Sequence, residues 1–231
     1  MTEKNYREPL VKQAFQDVIY LIERGYHKNS SINFVTSRYL LNTLEKNIVF
    51  RTAAPLHLRK EFMKKKIPNL KEREIAIDGF NILITVEKIL QGSNLLFKAL
   101  DTFLRDVSAV YGKYTLDKLT TKTMNLIITS LEKLEIKRAV FLLDSAVSRS
   151  GELAAKFRRL KPENFDWEAR TSRYPDIEVL EYGIVLSHDS EVAKKAKKIF
   201  DLPLWILNHQ SSSVIYTDTY KWLSMDFLEI L

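Results

Sequence analysis

The chain has 231 residues, 45% of them apolar, and holds only 6 Gly and 6 Pro. A substantial core is therefore available, and wholesale disorder or long low-complexity linkers are excluded. No cysteine occurs, which removes disulfides, zinc–thiolate centres and cysteine nucleophiles. The net charge is +7; residues 1–72 hold 14 Lys/Arg against 7 Asp/Glu, whereas residues 73–231 hold 22 of each. The whole excess thus sits in the first third, as in a polyanion-binding module joined to a second part. A solvated basic surface is the plainer alternative.

The opening residues, Met1 to Pro9, carry charges of both signs, and no signal-type apolar stretch follows. No apolar run approaches the about 20 residues that a bilayer span requires. A cytoplasmic protein without a membrane partner is expected.

From the N-terminus, Leu10, Ala14, Val18, Leu21 and Ile22 repeat at helical spacing, and Gly25 ends that helix. Ser30 or Ser31 can cap a second helix with Ile32, Val35, Tyr39 and Leu40 as its stripe. A break near Asn42-Thr43 leads to a third with Leu44, Ile48 and Val49. Pro55 opens a fourth through the basic stretch Arg59 to Lys66, and Pro68 closes it. Short helices around a glycine turn resemble helix-turn-helix packing. Arg38, Arg51, Arg59, Lys64, Lys65 and Lys66 are the candidate phosphate contacts.

The character changes near residue 72. Arg73 to Asp78 and Lys137 to Asp144 are apolar strands that end in an acid, as is Gly183 to Asp189; Ile177–Leu180 and Leu202–Leu207 are further predicted strands. Helical patterns cover about 81–90, 94–110, 118–134, 151–160 and 189–200. Apolar runs suit strands buried on both faces, and strands alternating with helices imply a doubly wound parallel sheet. The expected organisation is a small all-α domain over 1–70 and an α/β domain over 71–231.

In such a sheet ligands bind at the carboxyl ends of the strands. Asp78, Asp144 and Asp189 would converge there, and like charges at close range call for a cation. Oxygen donors without cysteine favour Mg²⁺ or Mn²⁺. These ions activate water for phosphodiester hydrolysis. Each aspartate alone could instead cap the following helix.

Ile77-Asp78-Gly79-Phe80-Asn81 resembles the opening of PIN-like and related NYN nuclease domains, and Ser187-His188-Asp189-Ser190 resembles their later Ser/Thr-x-Asp-Ser element. The stretch from Asp144 to Leu153, with Arg105-Asp106 and Gly112-Lys113-Tyr114, is similar to an uncharacterised archaeal group in which a PIN-like domain follows a small helical domain. The resemblance implies a metal-dependent nuclease with Asp78, Asp144 and Asp189 as metal-binding carboxylates. It also implies a further acid on a helix, for which Asp106 and Asp101 compete. Five helical residues place them about 140° apart, so both are not expected to enter one site; Asp106 is preferred. Asn81 would orient Asp78 or bind a phosphate, or cap its helix.

Ser148-Arg149-Ser150-Gly151 precedes a predicted helix and offers hydroxyls, N–H groups and a cation to an anion; a plain serine cap is the alternative. Lys156, Arg158 and Arg159 extend the positive surface or form a solvated face. The 4 histidines have no metal-ligand spacing. No Gly-x-Ser-x-Gly, Walker or Gly-x-Gly-x-x-Gly pattern occurs.

The expected function is divalent-metal-dependent nuclease activity on RNA, with homo-oligomers allowed for. Two rivals stand beside it: a non-catalytic RNA- or DNA-binding protein with a degenerate PIN-like domain, and a structural interaction module whose aspartates only cap helices. A haloacid-dehalogenase-type phosphatase lacks its Asp-x-Asp pair, since Gly79 and Phe80 follow Asp78.

Overall fold

Strands whose side chains are apolar on both faces are stable only inside a covered sheet, and the runs that end at Asp78 and Asp144 lie side by side in one. The computed structural model describes residues 5–108, 118–160, 165–210 and 214–230. In chain order it contains α1 (Glu8–Glu23), α2 (Lys28–Arg38), α3 (Thr43–Thr52), α4 (Leu56–Lys65), β1 (Glu74–Asp78), α5 (Gly79–Leu90), β2 (Leu96–Lys98), β3 (Leu104–Asp106), α6 (Lys118–Lys133) and β4 (Arg138–Asp144). It continues with α7 (Ser150–Arg159), β5 (Asp166–Ser172), α8 (Pro175–Glu178), β6 (Ile184–Leu186), α9 (Ser190–Lys195), β7 (Lys198–Ile199), α10 (Leu202–His209), β8 (Thr217–Asp218) and α11 (Met225–Ile230). The α/β class with a parallel sheet and an N-terminal helical region is as the sequence indicates. Among the described residues no helix is long and apolar enough to cross a membrane.

Two compact units form, and they are not consecutive halves. One comprises Met1–Met63, Gly92–Ala109 and Ser213–Leu231; the other comprises Lys64–Gln91 and Val110–Ser212. The helical unit takes in two segments that lie beyond the expected boundary after residue 70.

In the helical unit α1 packs against α2 and α3. Its buried stripe is Val11, Ala14, Phe15, Val18, Ile19 and Ile22. Asn42 and Glu45 form a capping box that starts α3. Strand β2 pairs antiparallel with β3 and parallel with β8. Their Phe97 meets Trp222, which stands edge-on to Phe15 at 5.3 Å. The helix expected over 94–110 is therefore wrong for its described part. Leu95-Leu96, Ala99-Leu100 and Phe103-Leu104 recur every four residues, a helical spacing. Thr102, however, adopts φ 83 and turns the chain back on itself, and pairing with a distant strand overrides the local pattern.

In the sheet unit the strand order is β5-β4-β1-β6-β7, with every neighbouring pair parallel. Successive strands spread outward from β1 to β5, and the chain then returns to β1's other side for β6 and β7. The direction reverses between β1 and β6, the place where open parallel sheets bind ligands. Ile75, Ile77, Ala139, Phe141, Leu143, Trp167 and Leu186 share one face with the core side chains of α5, α6, α7 and α10.

Two predicted strands are helical instead. Residues 202–207 form part of α10, where Asp201 accepts the Leu204 N–H at 3.1 Å and Pro203 sits in the first turn. Residues 177–180 belong to α8, opened by Pro175, and to the 3-10 turn Val179–Glu181. The helix expected over 189–200 ends at Lys195, and β7 follows. Strand β5 was not expected, since as an edge strand it alternates polar and apolar residues without an apolar run.

Candidate functional site

Register places the acids. Asp78 is level with Leu142, so Asp144, two residues further along β4, points to the same face, opposite the core of α5 and α6. Ser187 follows Leu186, the partner of Ile77, and so comes beside Asp78. Asp78 and Ser187 meet at the C-terminal edge, where the strand order reverses, and Asp144 ends the neighbouring strand on the same face.

Asp78 is 5% exposed. It stands at the N-cap position of α5 but makes no capping bond. Its Oδ2 accepts from Ser187 Oγ at 2.7 Å and from the Asn81 amide. Of the roles expected for Asn81, this bond matches the orienting of Asp78. Burial pushes the Asp78 carboxyl up to about 6; the bonds from Ser187 and Asn81 pull the other way, and the charges of Asp176 and Asp189 add to the rise. Gly79 is what allows α5 to start there: a Cβ would lie 2.6 Å from both the Leu142 carbonyl oxygen and Phe141 Cε1.

Asp144 Oδ1 accepts from the Ala146 N–H at 2.8 Å, and Asp189 Oδ1 accepts from the N–H groups of Glu191 at 2.6 Å and Val192 at 3.3 Å. Asp189 is therefore a helix cap, as the plainer expectation had it. In all three aspartates one oxygen is anchored, and the other accepts no hydrogen bond among the described residues.

Asp176, on α8, is a carboxylate that the sequence did not single out. It is exposed, yet partial desolvation raises its carboxyl, and the charges of Asp189 and Asp144 raise it further. Asp176 thus senses Asp189 and Asp144, and Asp78 senses Asp176 and Asp189. The signal for Asp176 was present in Pro175-Asp176, a helix-opening pair, but the segment reads as a strand approach.

Asp106, expected on a helix, does not lie on one. It lies on β3 in the helical unit, where its Oδ2 accepts from Ser108 N at 3.1 Å and Ser108 Oγ at 2.5 Å. Its rival Asp101 is held by Arg105 through two bonds of 2.7 Å. Gly112-Lys113-Tyr114 lie outside the described residues.

The phosphate candidates are mostly engaged. Arg149 takes φ 64 at the start of α7, and its guanidinium binds Glu152 at 2.8 and 3.0 Å. Ser150 is buried beside it and Ser148 is exposed. Lys65 Nζ donates to the carbonyls of Ala193 and Lys194 at the end of α9, and Lys66 pairs with Asp201 at 3.5 Å. Arg51 donates to the Asp106 carbonyl at 2.9 Å, and Arg59 lies 4.1 Å over the Tyr220 ring. Arg38 and Lys64 are exposed. Folding also redistributes charge: the segments of the helical unit hold 13 Lys/Arg and 11 Asp/Glu, and those of the sheet unit 23 and 18. The larger excess, +5 against +2, therefore belongs to the unit with the sheet.

Behind the acids lies a buried polar chain. Thr85 Oγ1 donates to the Asn81 carbonyl at 3.0 Å and is 3.5 Å from His188 Nδ1, while His188 Nε2 is 3.3 Å from Asp201 Oδ1. Burial alone would raise Asp201, but Lys66, His188 and the Leu204 N–H hold it well below the usual carboxylate range. His188 is structural in this arrangement, backing the Ser187–Asp189 segment.

Among the described residues no three His, Asp or Glu side chains converge closely enough to hold a metal ion by themselves. A hard cation that keeps several waters needs one or two carboxylates. The free oxygens of Asp78, Asp144 and Asp189, with Asp176 nearby, supply oxygen donors of that kind and an excess of negative charge.

Residues 67–205 match the family described as "Domain of unknown function (DUF5616)", and residues 10–65 match "Protein of unknown function (DUF434)". An uncharacterized protein of Methanocaldococcus jannaschii is 34% identical over 200 residues, covering 83% of this chain and 94% of that protein. No solved structure gives a significant match.

Proposed function

The chain belongs to the DUF5616 family, and we propose that it is a PIN-like, divalent-metal-dependent nuclease that hydrolyses phosphodiester bonds in RNA. The observation that carries this reading is the buried Asp78 carboxylate at the sheet's switch point, aimed by Ser187 and Asn81, with the charges of Asp176 and Asp189 acting on it. A carboxylate held at about 6 by burial is under-solvated at neutral pH, and a cation relieves it. Bound Mg²⁺ or Mn²⁺ would polarise the phosphoryl group and lower the pKa of water.

The residues have separate tasks. Asp78, Asp144 and Asp189 are the residues that would hold the cation, through their unanchored oxygens. Asn81 and Ser187 hold Asp78 in one rotamer, which limits reorganisation when charge develops. Asp176 accepts a hydrogen bond from the attacking water.

The test is cleavage of a structured and an unstructured RNA with Mn²⁺ or with EDTA, beside the double variant Asp78→Asn/Asp144→Asn. Cleavage with Mn²⁺ by the native chain alone is expected. Equal cleavage by the variant would mark a contaminant and end the reading. A second reading, a non-catalytic nucleic-acid-binding protein, is favoured by the local caps on Asp144 and Asp189; it predicts RNA binding with no cleavage under any metal.

A further inference from the structure

The helical unit carries exposed rings flanked by cations. Between α1 and α2 lies a cavity of about 140 Å³ lined by Asp17, Tyr20, Leu21, Phe34, Val35 and Arg38. Phe34 is 67% exposed, a large apolar surface left in water. No ring or cation stacks on it among the described residues. Across the cavity, the Arg24 guanidinium stacks 3.6 Å over Tyr20. The groove's one acid, Asp17, accepts from the Tyr39 hydroxyl at 2.8 Å. Arg38, one turn beyond Phe34, is exposed.

We propose that this groove binds single-stranded nucleic acid, with an unstacked base on the Phe34 ring, Tyr20 and Arg24 as the opposite wall, and Arg38 on the backbone phosphate. Rings with adjacent cations match the chemistry of such a ligand, which presents a π-face and a negative charge at every step. A duplex keeps its base faces stacked inside and offers them to no ring. The two flanking arginines favour a polyanion over an apolar protein partner. The proposal shares a nucleic-acid ligand with the sheet-edge reading, but it does not depend on metal or cleavage.

The test uses the full chain in EDTA and a labelled oligouridylate of roughly 12 nucleotides, read by fluorescence anisotropy. The single strand should bind more tightly than a duplex of equal length. Phe34→Ala should weaken binding by about 5- to 100-fold, the range for one lost stacking contact, and Phe34→Trp should preserve it. Arg38→Gln should reduce the salt slope by about one. Since Phe34 is exposed, Phe34→Ala should melt as the native chain does. Binding in EDTA requires no cation at the sheet edge, so failure of the nuclease reading leaves this result standing.

Equal affinity for duplex and single strand, or undiminished binding by Phe34→Ala, overturns the proposal. A Phe34→Ala change that turns a dimer into a monomer by light scattering, with RNA affinity unaltered, would assign the face to a second copy of the chain and also overturn it.

Discussion

Ser187 Oγ donates a 2.7 Å hydrogen bond to Asp78 Oδ2 and joins the ends of two strands whose residues are 109 positions apart in sequence. The bond favours the ionised carboxylate, while burial disfavours it more strongly, so Asp78 remains near 6. Ser187 thus orients a group that the fold holds at a cost.

That cost can be measured. With a folded value of about 6 against 3.8 in the unfolded chain, no penalty exists below pH 3.8, where both states are protonated. The penalty grows as the pH rises through 6 and is then constant, of the order of 2–3 kcal/mol at 1.36 kcal/mol per unit. Asp78→Asn should therefore raise the Tm at pH 7.5 in EDTA while abolishing Mn²⁺-dependent stabilisation and cleavage. A lower Tm would show that the charge is better solvated than its burial implies.

Asp176 and Asp106 should separate cleanly. Asp176→Asn is expected to lower RNA cleavage by about 10- to 100-fold with little change in Tm, since it is exposed. Asp106→Asn should leave cleavage within about twofold but destabilise by about 1–2 kcal/mol, because a buried acceptor of two Ser108 bonds is altered. Single-turnover rates and thermal melts of the two variants decide it.

Gly79→Ala should destabilise by about 1–3 kcal/mol, the usual cost of overpacking. The added carbon would sit 2.6 Å from the Leu142 carbonyl oxygen, which is backbone and cannot swing away. Urea titration at constant m-value checks this.

Acid stability should depend on Glu45. Its bond from Arg7 holds the carboxyl down to about 2, outweighing the effect of burial, with help from the Arg7 and Asn42 N–H groups. A depressed folded value means that the contribution is present above pH 4.5 and lost as the pH falls through 2. In Glu45→Gln the Tm should fall less steeply between pH 4.5 and 2 than in the native chain; identical slopes would contradict the pairing.

Much of the sheet was legible in the residues themselves. The runs Ile75–Ile77 and Ala139–Leu143 have no polar side chain to offer water, so only a doubly covered strand suits them, and the acids after them necessarily emerge at its end. The N-terminal helices were readable from the same logic at period 3.6. Asn81 and Gly79 were visible as a motif, although the clash that requires glycine was not. Where polar alternation replaced an apolar run, as in β5, the strand went unseen.

Contacts distant in sequence decided the rest. Residues 95–107 carry a helical spacing, yet β2 lies beside β8, whose partner residue Thr217 is level with Phe97, and long-range pairing won over local preference. The same folding put Asp106 on a strand of the helical unit, brought Asp176 near Asp144 and Asp189, and spent most of the predicted phosphate-binding cations on carbonyls and carboxylates. Periodicity and charge depend on neighbours in sequence, so the chain alone determined which segments would be buried and which strands would end in an acid. Which side chains then meet, and which charges are already neutralised, depends on register and packing between segments, and only the tertiary structure decides those.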